Sequence, residues 1–380
     1  MSDTLPEPDC VPGALHPRDT KHLIGQDAAE ASFLEAYNTG RLHHGWLMIG
    51  PRGTGKATLA YRIARFLLSQ PMDDGGMFGA PQKPTTLETD PEHPVARRIA
   101  AGADPSLFVL RRGGAGSTES DQKKNLEAGK FAKDIRVDDV RKLNGFFNFS
   151  SAEGGRRVVI VDAADEMNVQ AANALLKRLE EPPENATLLL ISHQPSRLLP
   201  TIRSRCRELR LSPLGDSDMT NALSQALPDT DLDQRALTAL TSGSVGEAIR
   251  MTNHSGPAIY AELVGLFATM PRMDRARALR LADAAAQRGA EDKLDMLVDL
   301  IALILARLAR AGTLGITPTP EATKGEGNMI ARLSPSPHHA RRWAQAAQDV
   351  DAKLRHGRAV NLDPAVLILD TLRHISQAAT

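Results

Sequence analysis

Cysteine is nearly absent. Cys10 and Cys206 are the two in 380 residues, too few and too far apart for a disulfide framework or a four-ligand zinc site. No zinc is expected, and a reducing cytoplasm is the expected location. Long apolar runs are missing as well. The longest candidate, Leu300 to Ala306, lies between Asp299 and Arg307 and falls well short of the ~20 residues that span a bilayer. The amino terminus carries Asp3, Glu7 and Asp9 where a signal peptide would be basic and then apolar. A soluble, untargeted protein with no membrane partner is the expectation. Net charge is also lacking: lysine plus arginine balance aspartate plus glutamate at 46 each, so no bulk positive field draws the chain onto nucleic acid. Aromatics make up 4%, which argues against a surface of base-stacking side chains. Any contact with DNA is expected to be local or made through partners.

What is present is alternation. The length predicts two or three domains. Residues 1–20 read as a disordered leader. From Ile24 onward short apolar strands alternate with helical periods: a strand at Trp46–Ile49, a helix with Leu59, Ile63 and Leu67 on one side, strands at Val158–Val161 and Leu188–Ile191, and a helix from Asn168 to Leu179 stopped by Pro182 and Pro183. Strands alternating with helices predict a parallel α/β sheet. Between about 70 and 132 glycine, proline, serine and charge take over. Most of that stretch reads as a mobile insertion, with Pro105 to Leu110 as one strand inside it. After Leu211 the β signal disappears, and an all-helical remainder is expected. Its clearest helix is Asp292–Arg310, with Leu294, Leu297, Val298, Ile301, Leu305 and Leu308 as a stripe, and Gly325 to Pro337 reads as a loop.

Gly50, Pro51, Arg52, Gly53, Thr54, Gly55, Lys56 and Ala57 match seven of the eight positions of a phosphate loop, G-x-x-x-x-G-K-[ST], between a strand and a helix. Backbone N–H groups of such a loop close on phosphate oxygens, the helix amino terminus adds a favourable dipole, and Lys56 supplies charge to the β and γ phosphates. ATP or ADP is therefore the candidate ligand. The eighth position should carry a hydroxyl for magnesium, and the Ala57 methyl cannot coordinate it. Thr58 is no substitute, because one helical step turns it by about 100°. The buried strand Val158–Val161 ends in Asp162, the carboxylate that holds the magnesium shell in phosphate-loop enzymes. The next residue is Ala163, and Glu166 is four residues past Asp162. Nucleotide binding without hydrolysis is the expectation.

Asn173 to Pro183 and then Leu198 to Cys206, ending in Ser-Arg-Cys, resemble the motifs of bacterial clamp-loader subunits, the tau/gamma and delta-prime proteins of DNA polymerase III within the AAA+ superfamily. The opening Ile24-Gly-Gln and the later Asn361-Leu-Asp-Pro-Ala-Val-Leu are similar to that family too. The resemblance covers most of the chain beyond the leader, except the glycine-rich insertion. It implies an AAA+ phosphate-loop domain over 21–212, with 70–132 as a variable insertion, a helical lid over 213–255 and a helical collar for oligomerisation over 256–380. It further implies that Arg205 acts in trans as an arginine finger on a neighbour's ATP, an effect of about 10³ to 10⁵ in rate. The implied partners are tau/gamma and delta subunits in a ring, with the sliding clamp and primed DNA reached through the complex. Ala57, Ala163, Gly246 and the absent zinc-module cysteines depart from the tau/gamma pattern and point to the delta-prime branch, a component of a polymerase holoenzyme without independent ATPase chemistry.

Two rival readings stay open. Lys56 and Asp162 leave room for a working ATPase, either of tau/gamma type or an unrelated AAA+ enzyme, and a nucleotide sensor with no clamp role would associate with none of these partners. Read without the family, Arg203, Arg205, Arg207 and Arg210 form a solvated basic edge. His43 and His44 read as a loop leading into a strand, and Cys206 as a small buried residue.

Overall fold

The computed structural model describes residues 6–71, 83–148, 155–227, 233–287 and 289–379. Five strands form one parallel sheet: β1 (Gly45–Ile49), β2 (Leu107–Arg111), β3 (Arg157–Asp162), β4 (Ala186–Ser192) and β5 (Arg207–Arg210), in the spatial order β2-β3-β4-β1-β5. The central strands are apolar without alternation because both faces are covered; β4 is buried along its whole length. On one face the helices Asp27–Asn38 and Lys56–Ser69 press Phe33, Leu59, Ile63 and Leu67 against Trp46, Met48, Val158 and Ile160. On the other, Val137–Asn148 and Val169–Glu180 press Leu143, Leu175 and Leu179 against Leu47, Val159, Val161 and Leu188. This is the α/β phosphate-loop class that the strand and helix alternation predicts.

β5 escapes the sequence reading. Only Leu209 of its four residues is buried, and Arg207 and Arg210 are exposed. Charge of that kind protects an edge strand from pairing with other chains. The Arg207 guanidinium lies 5.2 Å from the Trp46 ring centroid, so the expected solvated arginine edge is also a strand.

Three expectations are corrected. The leader is not a disordered tail over its described part: residues 6–20 are pinned to the α/β body by Arg111, which pairs with Glu7 and Asp9 at 2.8 Å each, and by Arg65, which donates to the carbonyls of Arg18 and Thr20. The expected insertion, whose residues 72–82 lie outside the described residues, supplies β2 and the helices Pro94–Ala100 and Glu119–Glu127. Val95 and Ile99 join the core, so this stretch is part of the domain despite its polar composition. The expected loop after Gly325 contains the helix Glu326–Leu333, which buries Met329, Ile330 and Leu333.

The chain divides into two compact units, residues 1–226 with 243–246, and residues 227–242 with 247–380. The segment 213–255, expected as one lid, is shared between them. The second unit has helices and no strand among its described residues. Its longest helix, Glu291–Leu314, buries Leu297, Ile301, Leu305 and Leu308 of the expected stripe, together with Met296, Leu300 and Ile304; Leu294 and Val298 are half-buried. At its centre the Glu326 carboxylate is fully buried. It accepts from Tyr260 Oη at 2.6 Å and Ala322 N at 2.8 Å and pairs with Arg307 Nε at 2.7 Å, while Arg307 Nη1 donates to the Ala239 carbonyl at 2.8 Å. A buried charge is tolerated only with partners of this kind.

Replacing Arg307 by Met would strand the Glu326 charge. Urea unfolding of the Arg307→Met protein is expected to show a loss of about 3–5 kcal/mol, much of it recovered in the Arg307→Met/Glu326→Gln double variant. A loss below about 1 kcal/mol would show that this pair does not hold the unit together.

Candidate functional site

β1 delivers its carboxyl end directly into the phosphate loop, which turns into the helix beginning at Lys56. Gly50 passes so close to Leu211 that an added Cβ would lie 2.4 Å from the Leu211 carbonyl oxygen. Gly53 has φ +75°, and its Cα meets Gly246 at backbone distance, the Gly246 N–H donating to the Gly53 carbonyl at 3.2 Å. A Cβ at Gly246 would sit 2.8 Å from the Gly53 Cα, so the loop requires a glycine at 246. Ser244 Oγ donates to the Arg52 carbonyl at 2.8 Å, Thr54 Oγ1 to the Pro51 carbonyl at 2.9 Å, and Gln26 Nε2 to the carbonyls of Thr54 and Ser212 at 3.2 and 2.8 Å. Gln26 thereby ties the loop to the end of the α/β sequence, a physical purpose for the Ile24-Gly-Gln run.

Lys56 is buried, and its Nζ donates to the Gly50 and Pro51 carbonyls at 2.7 and 2.5 Å. Burial lowers its pKa to about 8, against the opposing pull of Asp162 and Asp165. Asp162 ends β3, and its carboxyl is raised to about 7, first by burial and then by the charges of Asp9 and Glu166. Lys56 and Asp162 oppose each other's burial shift through their charges. The Ala57 methyl packs against the hydrophobic core, and Thr58 is half-buried. Ala163 is buried, and the Glu166 carboxylate pairs with Arg112 at 2.9 Å, so neither stands as a base beside Asp162.

Two groups at this edge escape the sequence reading. Asp165 is buried and accepts from the backbone N–H groups of His193 and Gln194 at 2.9 and 3.1 Å, fastening the turn after β4. His193 follows β4, whose Ser192 pairs with Ile49 at the mouth of the loop. Burial, and then the charge of Lys56, lower the His193 pKa to about 4. The signal was available: a parallel strand predicted at Leu188–Ile191 must discharge its next residues at the same edge as the phosphate loop.

Arg205 lies elsewhere. β5 runs parallel to β1 with Trp46 opposite Arg207 and Ile49 opposite Arg210. Arg205 therefore precedes the amino end of β5, roughly 15 Å of sheet from the level of the phosphate loop. Its Nη2 pairs with Glu180 at 2.9 Å and its Nη1 donates to the Thr201 carbonyl at 3.1 Å. The neighbouring Cys206 packs against Gly45 and Leu179, and burial raises its thiol to about 12. Of the two histidines before β1, His44 bonds the Leu179 carbonyl at 3.0 Å and His43 stacks on it, a structural use.

Glu7, Asp9 and His16 converge within 4.8 Å of one another. His16 Nδ1 accepts the Arg18 N–H at 3.1 Å, which leaves the ring proton on Nε2, 2.6 Å from Glu7. A metal would need that lone pair, and Arg111 and Arg18 already neutralise the carboxylates. The trio is an ion-pair network. No helix among the described residues is long and apolar enough to cross a membrane.

Because the Lys56 value lies below the free-lysine 10.5, the folded chain binds fewer protons than the unfolded chain from about pH 8 to 10.5. The stability of the native sequence relative to Lys56→Met should therefore rise across that window. Urea midpoints at about pH 7.5 and about pH 10 measure this; a pH-independent difference would show that Lys56 is not desolvated.

A family model described as "DNA polymerase III, delta subunit" matches residues 25–215. The chain is similar to the DNA polymerase III subunit delta' of Pseudomonas aeruginosa, 41% identical over 209 residues, 55% of each chain. It is also similar to that of Escherichia coli, 32% identical over 219 residues, 57% of this chain and 56% of the relative. The chain spans about half the length of these curated relatives. A solved Thermotoga maritima protein related to the DNA polymerase III gamma subunit is similar at 17% identity with a TM-score of 0.36, covering 92% of this chain and all of that one. With residues 25–215 matched, half of its length, the chain belongs to the DNA polymerase III delta-subunit family that this model describes, and its curated relatives named above are delta' subunits.

Proposed function

We propose that this chain is a delta-prime member of a DNA polymerase III clamp loader, a cytoplasmic AAA+ ring subunit that helps place the sliding clamp on primed DNA. Its own phosphate loop binds ATP or ADP without hydrolysing it, and Arg205 serves the ATP of an adjacent tau/gamma subunit. One observation carries this reading: the loop and Arg205 occupy opposite edges of a single parallel sheet. Arg205 is therefore remote from its own loop, and serving a neighbour's ATP would require it to leave Glu180. Ala57 and Ala163 support the non-hydrolysing half, because the site has neither a hydroxyl for magnesium nor a base next to Asp162. A guanidinium delivered from outside stabilises charge developing on the transferred phosphoryl group.

The experiment is reconstitution with tau/gamma, delta, clamp and primed DNA. Arg205→Ala is expected to lower clamp loading and DNA-stimulated ATP turnover, with the served site losing about 10³-fold or more. Unchanged loading and turnover would remove the finger. Magnesium-dependent turnover by the isolated chain, abolished by Lys56→Ala, would establish a working ATPase instead. Failure to associate with tau/gamma or delta would favour a separate nucleotide sensor.

A further inference from the structure

The segment 7–18 departs most from what its sequence suggests, and it lies beside the phosphate-loop site. Arg111 ends β2 and is the register partner of Asp162 on β3. Side chains two apart share a face of a strand. Asp162 therefore shares the face of Val158 and Ile160, and Arg111 that of Leu107 and Val109, which is the face covered by the helix Lys56–Ser69. Onto this pair of strand ends the segment brings Asp9 and Glu7, each 2.8 Å from Arg111 Nη1. Its His16 meets the ring of Tyr61, on the helix that Lys56 begins, edge-on at a centroid distance of 5.7 Å. Arg65 of the same helix holds the carbonyls of Arg18 and Thr20. The Asp9 side chain is 1% exposed, so it cannot swing into solvent while the segment is seated.

We propose that residues 7–18 form an ion-paired strap along the phosphate-loop site, with Asp9 as the specificity-determining residue that engages Arg111, turns the site against the γ-phosphate of a nucleoside triphosphate and favours a nucleoside diphosphate. The loop's backbone N–H groups receive the α and β phosphates, whereas the γ-phosphate extends toward the lysine and the strand carboxylate. In an ordinary site magnesium, held partly by the residue after the lysine, offsets the added charge there. Here that residue is Ala57, and the positive charge of Arg111 is already engaged by Asp9 and Glu7. Although burial works against its charge, His16 and Arg111 hold the Asp9 carboxyl below the usual range, so it stays ionised.

This inference rests on the loop being a nucleotide site and is independent of the finger at Arg205. Calorimetry on the full chain in magnesium buffer, with ADP and the β,γ-imido analogue of ATP as probes, tests it. The native sequence is expected to prefer ADP. Asp9→Asn is expected to tighten the triphosphate analogue about tenfold relative to ADP, and Glu7→Gln to act in the same direction by less. An unfolded variant loses both ligands, whereas relief of repulsion changes their ratio; if Asp9→Asn does not fold, the more exposed Glu7→Gln carries the test. Equal affinities in the native chain, or a ratio unmoved in the folded variants, overturns the assignment to Asp9. Binding of neither nucleotide by any form overturns it through the loop itself.

Discussion

All five strands run the same way, so whatever follows a strand arrives at one edge of the sheet and whatever precedes one lies at the other. The phosphate loop after β1, Asp162 at the end of β3, His193 after β4 and Arg111 at the end of β2 therefore share an edge. Arg205, which precedes β5, does not. This separation follows from continuous apolar strands that can be buried only with helices on both faces. It gives the chain one edge that gathers the loop, Asp162 and Arg111, and another where Arg205 pairs with Glu180.

At the gathering edge the electrostatics are closely balanced. Lys56 turns onto its own loop's carbonyls, Arg111 is held by Glu7 and Asp9, and Arg112 is held by Glu166. The Gly53 and Gly246 backbones touch where a larger residue would separate them. An ATPase site keeps a metal-ready hydroxyl and an unengaged base at this edge. In this chain the corresponding carboxylates and cations hold one another. The second unit applies the same rule in its interior, where Glu326 is charged, buried and tied to Tyr260 and Arg307.

The parts of the fold that sequence revealed were those where burial imposes a pattern. Val158–Val161 and Leu188–Ile191 are apolar because both their faces are covered, and the glycines at 50, 53 and 55 mark a loop whose backbone must close tightly. β5 was hidden because an edge strand needs charge more than apolarity. The leader and the stretch from 83 to 132, apart from its expected strand at Pro105 to Leu110, were misread because ion pairs and backbone hydrogen bonds, not hydrophobic periodicity, hold much of them in place.

The sequence by itself determined the presence of a phosphate loop, the missing hydroxyl at Ala57, the missing carboxylate at Ala163 and the alternation that demands a parallel sheet. These are properties of residue type and spacing. Only the tertiary structure decided that Asp9 pairs with Arg111, the register partner of Asp162, that Gly246 rests on Gly53 and that His193 is fastened to Asp165. Those relations join residues up to about 190 positions apart in sequence, and they depend on strand order and burial, which no local pattern encodes.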